Sequence, residues 1–186
     1  IFPSAGISSD DSFFARVDED SVGRLYVGIM SQGLISPVDT LSHIATGLSQ
    51  GIIDSDMQNS DLKDAYWTQV IYNNSNRELG KTERLCHDDI PAKIKTLAKL
   101  TNKKRKLENI EPLSGRLEGF KIPKVLSRLQ ENMNSKDMID ILPCTNMISV
   151  GVDVPRLGLM LINGQPKTTA EYIQASSRIG RNQKRP

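Results

Sequence analysis

The heptapeptide Leu157-Gly158-Leu159-Met160-Leu161-Ile162-Asn163 constrains this chain more than any other stretch. It is apolar up to its last residue, and LGLMLI is the longest strongly apolar run in the sequence. Such a run is far too short to span a bilayer. It fits a strand that is covered on both faces, and strands of that kind belong to parallel sheets. Parallel neighbours require crossovers, usually helices. The chain supplies one at once. TTAEYIQASSRI (168–179) opens with the capping box Thr168-x-x-Glu171 and is followed by Gly180, where a helix-ending glycine belongs.

The same alternation extends backward. WTQVIY (67–72) and MIDIL (138–142) read as strands. A helix is predicted from about Ser75 toward KIKTLAKL (93–100), broken or kinked before Pro91. KIPKVLSRLQENM (121–133) places Val125, Leu126, Leu129 and Met133 on one helical face. PVDTLSHIATGLSQGI (37–52) shows the same spacing at Val38, Leu41, Ile44, Ala45 and Leu48, and QNSDL (58–62) reads as a polar connector. RLYVGIM (24–30) alternates and is predicted as a strand, whereas residues 1–23 read as loop or extended arm. Strand–helix–strand–helix order means an α/β domain with a mostly parallel sheet and helices on both faces.

With 186 residues the chain is long enough for one domain with an appendage. A net charge of +2 does not by itself point to nucleic acid. The distribution is more telling. Lys93 to Lys106 holds seven basic and no acidic residues, and Arg178 to Arg185 holds four more. The run 93–106 has no interleaved aromatics, so a solvated helix face competes with counterion-releasing contact to a phosphate backbone. Cys86 and Cys144 form no CxxC pair, which fits reduced thiols and a cytoplasmic protein. Cys86-His87-Asp88-Asp89 has ligand types but no second cluster, so no metal site is expected. No signal peptide is visible. A start at Ile1 and a basic end suggest a piece of a longer protein.

Ligands of parallel sheets gather at the carboxyl ends of the strands. Two segments there stand out. After MIDIL comes Thr145-Asn146-Met147-Ile148-Ser149-Val150-Gly151-Val152-Asp153-Val154-Pro155, in which Gly151 permits close backbone approach and Asp153 can accept from a sugar hydroxyl. The second is Gln174-Ala175-Ser176-Ser177-Arg178-Ile179-Gly180-Arg181. Gln174 and Arg178 are predicted on one helical face with Glu171, and Ala170 and Ile173 toward the core. Arg178 and Arg181 together suit a phosphate, because each guanidinium offers planar bidentate donors. Helix-end arginines also simply complement the macrodipole. A third segment, NSNRELGKT (74–82), ends like a phosphate-binding loop, but Ser75 stands where G-x-x-x-x-G-K-[ST] needs its first Gly. Neither Asp18-Glu19 nor Asp140 makes a convincing metal carboxylate.

Taken in order, TNMISVGVDVP and, 29 residues on, QASSRIGR resemble motifs V and VI of superfamily 2 helicases. Thr145, Gly151 and Asp153 match the first. Gln174, Arg178, Gly180 and Arg181 match the second, usually Q-x-x-G-R-x-G-R, with Ser177 in place of its first Gly. VIYNNSNRE resembles motif IV, in which a strand ends in a short polar turn. The wording from Asn146 to Arg181 is also similar to the helicase component of DISARM-type anti-phage systems.

The resemblance implies a C-terminal RecA-like lobe, a three-layer α/β unit of P-loop-NTPase type that lacks the P-loop. ATP with Mg2+ would be held mainly by an N-terminal RecA-like lobe of the same protein. Arg178 and Arg181 would reach its γ-phosphate, and Gln174, Gly151 and Asp153 would lie by the nucleotide. Asn74, Ser75, Arg77, Ser114, Arg116, Thr145 and Asn146 would face a DNA or RNA backbone. Residues 57–186 form the expected lobe, with 1–56 packed on it or inserted into it. The parent is then an ATP-dependent helicase or translocase, and this piece alone is inactive. Two alternatives stay open: a self-contained P-loop enzyme using Lys81 and Thr82, and a non-enzymatic nucleic-acid-binding module.

Overall fold

The computed structural model describes residues 23–31, 33, 36–55, 57–149 and 153–181. Helix α1 (Pro37–Asp54) starts on Ser36, whose hydroxyl accepts from the Asp39 amide, with Pro37 in the first turn where a missing N–H costs nothing. Helix α2 (Ser60–Trp67) follows, then β1 (Gln69–Asn73), α3 (Asn76–His87) and α4 (Asp89–Thr101). Helix α5 (Ile122–Gln130), β2 (Ile141–Cys144), a short 3-10 turn over Asn146–Ser149, β3 (Leu159–Asn163) and α6 (Thr169–Ser176) complete the described elements.

The three strands are parallel in the order β2-β1-β3. Ile110 and Leu113 add bridges to Ile141 and Cys144 along the outer side of β2. Pro143 in β2 lacks an N–H, but its carbonyl still accepts from Leu113. Alternate residues of β1 and β2 supply two cores. Val70, Tyr72, Leu142 and Cys144 face Val125 and Leu129 of α5 and Ala175 of α6. Ile71 and Ile141 face Leu41 and Ala45 of α1, Leu85 and Cys86 of α3, and Ile90 and Ile94 of α4. The result is the three-layer α/β arrangement that the alternation implies.

The base of the sheet is built on buried charge. Arg105 and Asp140 are 2% and 4% exposed and pair at 3.1 Å. Asp140 also accepts from the amides of Glu108 and Asn109, while the Arg105 guanidinium stacks 3.8 Å over Trp67 and donates to the Trp67 carbonyl. Buried Gln50 of α1 joins this corner through the Lys103 carbonyl and the Arg105 amide. Arg105 of the basic run is therefore part of the fold, and Asp140 is a structural anion with no Glu beside it.

Several expectations change. The alternation over 24–30 predicts a strand, but the segment joins no sheet, and Leu25 and Met30 are 89% and 81% exposed. Its Arg24 is committed to the turn that follows α6 instead of to a strand. The connector 58–62 contains the start of α2, because the Asn59 side chain caps it by accepting from Asp61 and Leu62. The polar letters were capping residues. The 157–163 run is only half-buried along β3, since β1 takes the fully buried centre. Helix α6 ends at Ser176, so Gly180 is not its C′ residue. Gly180 adopts φ +63° within the next turn, and its amide donates to the Leu157 carbonyl. Among the described residues, no helix is long and apolar enough to cross a membrane.

Gly158 packs against α2. A Cβ there would lie 3.2 Å from both the Cβ and the carbonyl oxygen of fully buried Ala65. The obstacle is backbone and cannot swing aside. Gly158→Ala is expected to destabilise the domain by about 1–3 kcal/mol, read as a lower urea midpoint at unchanged m-value.

Candidate nucleotide and nucleic-acid site

Parallel register brings the ends of β1, β2 and β3 to one rim of the sheet. Tyr72 stands opposite Cys144 and Ile162, and Asn73 opposite Asn163. Asparagines organise that rim. The Asn73 carboxamide donates to the carbonyls of Ile71 and Cys144, and its oxygen accepts from Asn163 and from the Thr82 hydroxyl. Asn74 donates to the carbonyls of Asn163 and Gly164, which bridges the loops after β1 and β3.

Ser75 caps α3 by accepting from the Glu78 amide, while the Glu78 carboxylate reaches back to the Asn74 amide. Asn74 and Ser75 therefore spend their side chains on the rim, and exposed Arg77 in the first turn of α3 is left facing solvent. Ser114 and Arg116 follow Leu113 at the outer side of β2. Ser114 is buried and accepts from the Arg116 amide, whereas Arg116 is exposed. Thr145 is buried, its amide donating to the Leu113 carbonyl, and exposed Asn146 opens the 3-10 turn. All seven residues lie along the same rim.

Gly80, Lys81 and Thr82 lie inside α3, which is where the phosphate-loop alternative fails. Thr82 is buried and bonded to Asn73, Lys81 is exposed, and a Cβ at Gly80 would meet nothing within 4 Å. A phosphate loop needs open backbone at this glycine; a helix interior does not. Gly80→Ala is expected to raise stability by about 0.5–1 kcal/mol, measured by urea unfolding, because alanine is the better helix former.

The arginine turn sits at the carboxyl end of α6. Tyr72 fixes the helix by donating to Glu171 at 2.6 Å, and burial followed by this bond pushes the Tyr72 phenol well above its usual range. With Glu171 held inward, Ala175 and Ser176 are buried, while Ala170, Ile173 and Gln174 are exposed. The expected inward facing of Ala170 and Ile173 is thus reversed. Because α6 stops at Ser176, half-buried Arg178 lies in the turn and not on the helical face of Gln174. Exposed Arg181 donates to the Ser177 carbonyl and pairs with Asp153 at 2.9 Å. Two residues singled out from separate loops therefore meet. Gly151 lies outside the described residues. Their side chains are 37% and 64% exposed, so the pair contributes about 0–1 kcal/mol and exchanges readily for a phosphate or a sugar hydroxyl.

Tyr72, Asn73, Asn163 and Arg24 organise the site without having been singled out in the sequence. A polar residue closing each of two apolar strands, Asn73 and Asn163, was the available signal. Among the described residues, no group of three or more His, Cys, Asp or Glu is placed to hold a metal ion.

Residues 69–183 match the helicase conserved C-terminal domain family. The DISARM protein DrmA of Bacillus paralicheniformis is 43% identical over 97% of this chain, which spans 16% of the length of that protein. Among solved structures, the C-terminal part of the Fun30 ATPase domain is similar, with a TM-score of 0.50 at 14% identity over 78% of this chain and 36% of that one. Dbp5 of S. cerevisiae bound to RNA and ADP BeF3 gives 0.46 at 16% identity, over 78% and 30%.

Proposed function

Because this chain belongs to the helicase conserved C-terminal domain family, we propose that it is the C-terminal RecA-like lobe of an ATP-dependent DNA or RNA helicase or translocase acting in the cytoplasm. The observation that carries this reading is the arginine turn. Arg178 and Arg181 lie in the turn after α6, and among the described residues Arg181 is held by one surface carboxylate and one carbonyl. A guanidinium held so lightly can turn to a phosphate presented from outside. There it would stabilise the charge that develops as the γ-phosphoryl group leaves.

Asp153, released by that movement, is free to accept from the ribose, with Gln174 and Gly151 beside the nucleotide. The helix interior that holds Lys81 and Thr82 offers no cradle for phosphates, so the phosphate loop belongs to an N-terminal RecA-like lobe. The Mg2+ that accompanies ATP would neutralise phosphate charge. The described residues of this chain offer it no carboxylate cluster, so its ligands are assigned to the other lobe as well. Arg77, Arg116, Thr145 and Asn146, on the rim organised by Asn74, Ser75 and Ser114, would follow a nucleic-acid backbone without reading its sequence. Within the N-terminal segment, helix α1 packs on the lobe, with Leu41 and Ala45 joining the core of α3 and α4.

The 186-residue chain alone is expected to bind no ATP tightly and to hydrolyse none above background, with circular dichroism confirming its fold. Turnover of about 1 s⁻¹ or more would sink the reading and favour a self-contained enzyme.

A further inference from the structure

A third arginine stands at the turn that carries Arg178 and Arg181, and it comes from the far end of the chain. Arg24 lies 155 residues before Ile179 in sequence, yet its Nε donates to the Ile179 carbonyl and its Nη2 to the Ser177 carbonyl at 3.3 Å. Ser177 is also the residue whose carbonyl accepts from Arg181 Nε. The Arg24 side chain lies directly over Gly180, where an added Cβ would be 3.5 Å from its Cγ and 3.6 Å from its Nε. Tyr26 packs near Tyr172 of α6 with ring centroids 6.2 Å apart. The segment around Arg24 is otherwise largely exposed and, among the described residues, pairs with no strand.

We infer that Arg24 is a positioning residue for the arginine turn. It bonds the two carbonyls on either side of Arg178, and with the Gly180 amide bonded to Leu157 it leaves the turn little freedom to rotate. Beyond Ser176 the α-helical ladder gives way to i→i−3 turn bonds, from the Arg178 amide to the Ala175 carbonyl at 3.2 Å and from the Ile179 amide to the Ser176 carbonyl at 3.4 Å. Arg24 adds side-chain bonds to this short turn. A turn left loose would present its guanidiniums at variable positions. A misplacement of about 1 Å in a group that meets a reacting phosphate can cost on the order of 100-fold in rate. The inference rests on the reading of Arg178 and Arg181 as residues that contact ATP, and it adds that a segment outside residues 69–183 sets their geometry.

The test uses the full-length protein and its nucleic-acid-stimulated ATPase. Arg24→Ala is expected to lower kcat about 10–100-fold, with KM for ATP within about twofold and the thermal midpoint unchanged. Arg24→Gln and Arg24→Lys are expected to recover much of that loss, since each keeps donors for the carbonyls. Arg181→Ala is measured alongside. If it abolishes turnover while Arg24→Ala leaves kcat intact, the positioning role is wrong and the family reading stands. If Arg24→Ala lowers kcat only in step with a lowered thermal midpoint, Arg24 is merely structural. If Gln fails where Lys succeeds, Arg24 acts by its charge and the positioning role is again overturned. Full turnover in Arg181→Ala removes the reading itself, and the inference with it.

Discussion

In the full-length protein, Arg181→Ala is expected to cut ATP turnover by about 10³–10⁵-fold without loosening the fold. The rate half of that expectation follows from the proposed role of Arg181, and the stability half from its geometry. Arg181 is tied to the molecule by an exposed ion pair with Asp153 and one bond to the Ser177 carbonyl. Losing a surface pair of this kind costs about 0–1 kcal/mol. The rate effect is larger because a guanidinium aimed at a leaving phosphoryl group acts mainly in the transition state, so kcat falls more than KM rises. Arg178→Ala is expected to act in the same direction, although that side chain is half-buried and its removal also disturbs packing. Nucleic-acid binding measured without nucleotide should change little in either variant. Loss of binding with retained ATPase would turn the assignment around, making the turn a nucleic-acid contact.

The largest stability effect is expected at the opposite end of the sheet. Asp140→Ala should destabilise the domain by about 3–5 kcal/mol, a large share of the 5–15 kcal/mol that folded domains possess. The substitution strands the Arg105 guanidinium with almost no exposure to water, and a guanidinium does not escape by deprotonating. Burial lowers the pKa of Arg105, and only the charge and hydrogen bond of Asp140 oppose that shift. The amides of Glu108 and Asn109 also lose their acceptor. Asp140→Asn keeps an acceptor and should cost less. Chemical denaturation of both variants gives the comparison, and equal small losses would mean that the pair is not the anchor of this corner.

The sheet and its helices were legible because their signals are local. The apolar letters of β1 and β2, the helix start at Ser75, the Thr168 cap and the apolar 157–163 run each lie within a few residues. What escaped depended on distant partners. Arg105 looks like one more cation in a basic run until Asp140, 35 residues on, is placed beneath it. RLYVGIM has a strand's letters, but letters cannot supply a neighbouring edge. The facing of α6 was misread because Glu171, apparently one of a polar stripe, is drawn inward by Tyr72. At the candidate site, the arginines were visible as a motif, whereas their pairing with Asp153 and the clamp by Arg24 require the folded chain.

The central place of β1 has a consequence for how the polypeptide is made. Its two partners lie far downstream, Gln69 pairing with Ile141 on one side and with Leu159 on the other. At about 5–20 residues per second, a ribosome needs roughly 4–14 s to deliver the first partner, β2, after β1 has emerged. For that interval Val70, Ile71 and Tyr72, fully buried at the end, have no strand to lie beside. Closing such long loops before any pairing repays the entropy is intrinsically slow. Helix α1 is already made when β1 emerges and α3 and α4 follow it directly, so these are the elements able to shield it. During synthesis the face formed by α1, α3 and α4 thus acts as a built-in holding surface for a strand that is waiting for the rest of its sheet.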